Sequence, residues 1–239
     1  MDLTVWKPYE AAMLAFHGGD PDATIVVYDD FERDEAPISY FFRGPDQFPP
    51  LERAALELCR GRVLDVGAGS GCHSLALQDR GIDVSAIDVL PGLVRIMQER
   101  GVRRVRVASW QNLEADPFDT VLLLMNGLGL AETLSGLRRF LKDIRRLLRP
   151  GGQVLADSTD VRTRMDPSAG RAGKMVRPDG RYIGELHFQL EFKGRKGGPF
   201  PQLYVDPETL TQYAGAEGWS CEIVSQRDKY GNYLARLLQ

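Results

Sequence analysis

Apolar positions along this chain come in short runs cut by glycine, proline and charge. Arg62–Val66 is a β-rich run that halts at Gly67. From 70 to 80 the pattern suits a helix closed by Gly81, and 84–87 is a second buried strand ending in Asp88. Pro91 opens a helix with Leu93, Val94, Ile96 and Met97 apolar, halted at Gly101. Residues 102–107 read as a third strand, and 119–125 as a fourth, apolar on both faces like a central parallel strand. Residues 137–148 are amphipathic, with Leu137, Phe140, Leu141, Ile144 and Leu148 on one face and Arg138, Lys142, Arg145 and Arg146 on the other. Arg149-Pro150-Gly151-Gly152 then reads as a stop and a tight turn before a fifth strand at 153–156.

Five strands alternating with helices predict an α/β fold with a doubly wound, mostly parallel sheet. A helix at 206–216 and strands at 220–225 and 233–238, turning at Gly231-Asn232, add a C-terminal antiparallel hairpin and bring the sheet to seven strands. Right-handed crossovers put the C-terminal strand ends on one rim, where ligands of open sheets bind. Gly67, Asp88, Ser109, Asn126 and Asp157 are each placed just beyond a strand end and so are expected around one cleft. Two regions stand outside this pattern. Residues 1–49 read as a partly helical lid. Residues 50–239 form the main domain, opening with a helix at 50–60. Within it, 158–205 is an insertion after the fifth strand, with glycine-rich loops around a strand-like 182–192. An insertion of that length is usually functional.

Composition narrows the chemistry. Apolar residues make up 43% and charged residues 26%, ordinary for a globular protein, and no apolar run approaches a membrane span. The chain begins Met1-Asp2-Leu3 without a basic start and apolar stretch, so a cytoplasmic location is expected. The three cysteines and three histidines are scattered, which predicts neither disulfides nor a metal site. The net charge of −3 gives no general attraction to nucleic acid. It is unevenly spread: residues 1–50 carry ten acids and three bases, and 158–205 nine bases and five acids. Either these segments are solvated or face each other, or one of them selects a charged substrate.

The most informative stretch is Val63-Leu64-Asp65-Val66-Gly67-Ala68-Gly69-Ser70-Gly71. Its glycines permit a tight strand-to-helix turn and close backbone approach to a ligand. A dinucleotide fingerprint, G-x-G-x-x-G, would need glycine where Cys72 stands, and a P-loop would need Gly-Lys-Ser/Thr. Asp65 lies two residues before the first glycine; a carboxylate there is unfavourable beside a pyrophosphate and favourable beside an ammonium. Asp88 follows Gly67 by 21 residues, and an acid at about that distance can accept from both ribose hydroxyls.

This loop resembles that of the class I S-adenosylmethionine-dependent methyltransferases, and the likeness extends over about 50–157 and the C-terminal hairpin. Leu147-Leu148-Arg149-Pro150-Gly151-Gly152 is similar to the segment before the family's fifth strand. The resemblance implies that Asp65, Gly67, Ala68, Gly69 and Gly71 hold the methionine end of the cofactor, Asp88 the ribose, and Val89 the adenine. Where many members carry an acid at the third strand's end, this chain has Ser109 and Trp110, a hydrogen-bond acceptor and an aromatic wall. Asn126 follows the fourth strand, where the family's substrate-facing segment lies.

The expected function is methyl transfer from S-adenosylmethionine to N or O of a small-molecule acceptor. The displacement is in line, so alignment and exclusion of water matter most, and a base is needed only if the acceptor must lose a proton. Asp157 and, on the 182–192 strand, His187 are candidate bases; His73, in the first turn after the loop, reads as structural. In Tyr40-Phe41-Phe42-Arg43 the aromatics suit a sulfonium and Arg43 suits the cofactor carboxylate. Met125-Asn126-Gly127-Leu128 lacks the Pro-Pro-aromatic run of base-amino methyltransferases, which disfavours nucleic acid. The alternatives are a tRNA, rRNA or protein methyltransferase using the basic 158–205 segment, or a non-catalytic cofactor-binding subunit. Oligomeric state is not encoded legibly.

Overall fold

A computed structural model describes residues 2–114, 117–165, 176–177, 179–225 and 228–239, and part of the predicted insertion, 166–175, lies outside them. In chain order the elements are α1 (Lys7–His17), β1 (Thr24–Tyr28), β2 (Arg33–Pro37), α2 (Pro50–Leu58), β3 (Arg62–Val66), α3 (Cys72–Asp79), β4 (Asp83–Asp88), α4 (Pro91–Glu99), β5 (Val105–Val107) and β6 (Phe118–Leu123). They continue with α5 (Leu134–Asp143), β7 (Leu148–Thr159), α6 (Arg162–Met165), β8 (Glu185–Phe192), β9 (Arg195–Lys196), β10 (Phe200–Leu203), α7 (Pro207–Ala216), β11 (Ser220–Ile223) and β12 (Asn232–Leu238). The large sheet has seven strands in the order β11-β12-β7-β6-β3-β4-β5. The pairs β3–β4, β4–β5 and β6–β7 are parallel, and β12 runs antiparallel to both β7 and β11. This is the expected α/β architecture.

Several boundaries move for local reasons. Gly71 sits at φ +79°, which no helix interior tolerates, so α3 begins at Cys72 rather than 70. The amide of Val102 donates to Met97 O at 3.0 Å, which draws 102 into the turn after α4 and leaves β5 only three residues. Thr133 caps α5 by accepting from Gly136 N, so that helix starts at Leu134; its far end tightens into a 3-10 turn over Ile144–Leu147. The expected stop at 149–152 is not a break in pairing. Phe118 pairs with Leu148 and Thr120 with Gln153, so the strand bulges between them, with Gly151 at φ +74°. β7 also runs on to Thr159, and Asp157 pairs with Leu234 inside the strand instead of standing past its end.

The amino-terminal segment contains more than helix. β1 and β2 form a hairpin whose turn is held by Asp29, its carboxylate accepting from Phe31 N and Glu32 N. A second sheet, in the order β10-β8-β1-β2 with β9 beside β8, joins this hairpin to the insertion.

By contacts the chain forms two compact units: residues 1–49, 62–113 and 187–200, and residues 50–61, 114–186 and 201–239. The first unit's core packs Met13 of α1 with Ile25, Ile38, Leu93, Ile96, Leu190 and Phe192. In the second, Leu122, Leu155, Leu234 and Tyr233 are fully buried, and the indole of Trp219 donates to Leu141 O at 2.9 Å. No helix among the described residues is long and apolar enough to cross a membrane.

Candidate functional site

In the first unit the loop after β3 folds back on β4. The amides of Gly67 and Ala68 both donate to Ile87 O. Gly67, Gly69 and Gly71 take φ of +69°, +59° and +79°. A side chain is excluded at Gly71 for a second reason: a Cβ there would lie 2.9 Å from Met97 and Val102. The tight turn thus also brings the start of α3 against α4.

Two buried carboxylates flank this loop. Asp88 accepts from Gly69 N at 3.1 Å and from Leu90 N at 3.0 Å. Burial pushes its pKa up to about 6, against the lowering effect of those amides. Asp65 accepts from Ser74 Oγ at 2.6 Å; its pKa is raised by burial, opposed by His73 and by that hydroxyl. The sequence reading aimed Asp65 at a ligand ammonium, and the structure also gives it an anchoring contact to the first turn of α3. Among the described residues neither Asp65 nor Asp88 has a Lys or Arg ion-pair partner. The cleft groups expected around them divide between the units: Ser109 joins Gly67 and Asp88 in the first, while Asn126 and Asp157 belong to the second.

The other predicted residues of the first unit are held by separate local contacts. Val89 packs on the α1–α4 core, Ala68 on Met97 and Val102, and Trp110 is buried one residue past Ser109. Ser109 Oγ accepts from Gln111 N at 3.3 Å, a capping role that engages the group expected to meet an adenine amine. Arg43 is buried, donates to Tyr40 O, and stacks 3.9 Å over the Tyr40 ring. Its guanidinium is therefore held by its own 3-10 turn. His187 lies on the exposed face of β8, its Nδ1 3.9 Å from Asp30 Oδ1, which fits a surface ion pair better than a base.

Sequence spacing gave no sign of four further residues here. Tyr9 of α1 reaches the loop, its Oη 3.7 Å from where a Cβ on Gly69 would lie. Glu10 accepts from Gly92 N at the start of α4 at 2.7 Å. Ser70 Oγ donates to Phe41 O, and Arg100 donates to both Ser70 O and Ser70 Oγ at 2.7 Å. The segment was readable as a partly helical lid, but not which loop its residues would meet.

The charge asymmetry also finds partners in this unit. Lys193 pairs with Asp20 at 2.9 Å, and Lys196 sits 3.9 Å over the Tyr28 ring and 3.7 Å from Glu191. Part of the basic insertion thus faces the acidic amino-terminal segment.

In the second unit the segment after β6 is conformationally unusual. Met125 and Asn126 both have positive φ, +67° and +58°. Asn126 donates to Gln202 Oε1 and Leu203 O and accepts from Ser158 Oγ, and Ser158 Oγ in turn accepts from Val205 N. Asp157 accepts from Gly127 N at 2.9 Å. Both predicted residues therefore hold this segment against β7 and β10. Deeper, Tyr182 donates to Asp206 at 2.5 Å, while Arg162 bonds Asp160 at 2.6 Å and lies 3.6 Å from Asp206.

Comparison with known proteins decides the family. A SAM-dependent methyltransferase from Bacteroides fragilis, solved in complex with S-adenosyl-L-homocysteine, is 39% identical, with a TM-score of 0.85 over 98% of this chain and 95% of that one. The chain belongs to the S-adenosylmethionine-dependent methyltransferase family. Residues 63–152 match the family described as "Methyltransferase domain", a span that opens on β3 and closes at the β7 bulge. The cofactor of this methyltransferase is S-adenosylmethionine. Among curated relatives, a ubiquinone biosynthesis O-methyltransferase from Xanthomonas oryzae pv. oryzae is 33% identical over 42% of this chain and 44% of its own. A cypemycin N-terminal methyltransferase from Streptomyces sp. is 33% identical over 50% of each. The chain thus matches at most half the length of these two curated relatives.

Proposed function

We propose that this methyltransferase transfers the methyl of S-adenosylmethionine, held on the 65–71 loop, to N or O of a small-molecule acceptor. The observation that carries the cofactor's placement is Asp88: a buried carboxylate at the end of β4 that touches the glycine loop through Gly69 N. A carboxylate offers about four lone-pair sites. The amides of Gly69, Leu90 and Val89 engage it, which leaves acceptor capacity for a ribose hydroxyl. The residues fit the cofactor's charge as well. Asp65 and Asp88 give the loop a negative field without a Lys or Arg ion-pair partner among the described residues, which favours a ligand carrying ammonium and sulfonium.

Bound cofactor supplies a methyl already activated on sulfur. The chain's own residues then bind, orient and exclude water. Gly67, Ala68, Gly69 and Gly71 let the backbone approach the methionine end, Val89 and Trp110 present apolar surface for the base, and Ser109 keeps one hydroxyl beside it. Tyr40 and Arg43 act as part of the lid, with the Arg43 stack fixing the Tyr40 ring. Asn126 and Asp157 hold the segment after β6, and we assign them to shaping the acceptor side. The new bond to methyl would form as the sulfur–methyl bond breaks and S-adenosylhomocysteine leaves, with the acceptor's N–H or O–H proton passing to solvent; neither the exposed His187 nor the amide-engaged Asp157 is assigned as its base.

Two observations support a small acceptor. The O-methyltransferase relative acts in ubiquinone biosynthesis, and Lys193 and Lys196, part of the basic run considered for RNA, face acidic and aromatic partners in the same unit. Isothermal titration with S-adenosylhomocysteine tests the cofactor's placement. The wild type should bind saturably, and Asp88→Ala should bind at least about 30-fold more weakly, as expected for losing charge-assisted hydrogen bonds. Equal binding by the variant would sink the assignment. A panel of phenol, catechol and amine acceptors, read by homocysteine release, then tests the acceptor class.

A further inference from the structure

Helix α1 presents one polar group to the glycine loop. Glu10 fixes the helix at the start of α4 through Gly92 N. The preceding residue, Tyr9, is locked by its ring, edge-on to Phe41 with centroids 5.3 Å apart and to Trp6 at 6.3 Å. Its hydroxyl points to Gly69, and among the described residues that hydroxyl has no hydrogen-bond partner. Burial, with the Asp88 carboxylate and Cys72 nearby, raises the phenol's pKa well above its ordinary value, so it stays a neutral donor. The hydroxyl is not fully enclosed by protein, so a ligand oxygen beside Gly69 can reach it and accept a hydrogen bond from it.

We propose that Tyr9 is a cofactor-binding residue supplied by the amino-terminal helix, its hydroxyl donating to an oxygen of S-adenosylmethionine beside Gly69. The inference rests on the cofactor reading of the glycine loop given above. Two cofactor oxygens have the right chemistry, a ribose hydroxyl and the methionine carboxylate. A ribose hydroxyl would accept from Tyr9 while donating to Asp88, so the phenol and the carboxylate are complementary around one diol. The carboxylate would accept a charge-assisted bond instead. In either case residues 1–49 contribute to affinity and are more than a cover.

The test is titration of S-adenosylhomocysteine into the wild type and Tyr9→Phe. Phenylalanine keeps the ring against Phe41 and Trp6 and removes only the hydroxyl. The expected result is about five- to tenfold weaker binding, the size of one hydrogen bond, with the melting temperature of the free protein unchanged. If the wild type binds and Tyr9→Phe binds as tightly, the inference is overturned while the cofactor reading stands. If the wild type does not bind, the cofactor reading itself fails. 5′-Methylthioadenosine, which keeps the ribose and lacks the amino-acid end, distinguishes the two oxygens. A penalty that persists with it assigns the ribose, and one that disappears assigns the carboxylate.

Discussion

In the second unit, Asp157, Asp160 and Asp206 are buried and each is met by donors of that unit: Gly127 N, the Arg162 guanidinium, and the Tyr182 hydroxyl with Thr209 N. In the first unit, Asp65 and Asp88 are as deeply buried, yet their donors are a serine hydroxyl and backbone amides, with no Lys or Arg partner among the described residues. The consequence shows in their titration. Hydrogen bonds from Thr209 and Tyr182 bring Asp206 below the usual carboxylate range despite burial, whereas burial dominates at Asp65 and Asp88 and raises both. A buried acid whose charge is compensated internally is scaffold. One whose charge is left under-compensated is held ready for something that binds.

The strongest way to break this contrast is Arg162→Ala. It strips the cation from Asp160 and Asp206, which are almost fully buried, and should cost about 3–5 kcal/mol of stability in urea unfolding. S-adenosylhomocysteine affinity of the folded protein should not change; a lower affinity with stability intact would merge the two roles. Asp88→Asn should do the reverse. At pH 7.5 the free protein should become about 1–2 kcal/mol more stable, because an ionised carboxylate is no longer buried, while the cofactor product binds far more weakly.

The pH dependence sharpens the same point. With its folded pKa raised from 3.8 to about 6, Asp88 contributes stability to the free protein below about pH 4, and that contribution is lost as the pH rises through 6. With Asp88 holding the ribose as proposed, binding slopes the other way, since a ribose hydroxyl donates to the ionised form. S-adenosylhomocysteine affinity should fall by up to about tenfold per unit below pH 6, measured by titration calorimetry, and Asp88→Asn should flatten that slope. Tyr182→Phe removes one buried hydrogen bond on the scaffold side and should lower stability by about 1–2 kcal/mol, read from denaturant midpoints, leaving ligand affinity alone. The smallest effect is expected from His187→Ala, with turnover unchanged within error.

Much of the first unit's site was legible because it is local. The placement of Gly67, Gly69 and Gly71, the acid before them and the acid closing the next strand all follow from turn geometry and strand length, which short-range sequence encodes. What was not legible depends on long-range side-chain partners. Tyr9 meets a loop 60 residues away, Arg100 secures Ser70, and Asn126 is claimed by Ser158, Gln202 and Leu203. Asp157 was placed past a strand end because the apolar run stops at Ala156, while pairing with β12, far along the chain, carries the strand on to Thr159. Strand β1 was missed in part because, besides its hairpin partner β2, its neighbour in the sheet is β8, far along the chain.

That last pairing bears on how the chain reaches its native state. Val26 meets Glu191 and Tyr28 meets Gln189, so while a ribosome makes the intervening residues, one edge of Thr24–Tyr28 has no partner. Such long-range closure is slow, and an open β-rich edge invites pairing with other nascent chains. The sequence Thr-Ile-Val-Val-Tyr has the composition of such a hazard, but Asp20 and Asp22 precede it and Asp29 and Asp30 follow. Flanking acids of this kind repel intermolecular stacking. In the folded chain one of those acids, Asp20, is met by Lys193, which follows β8.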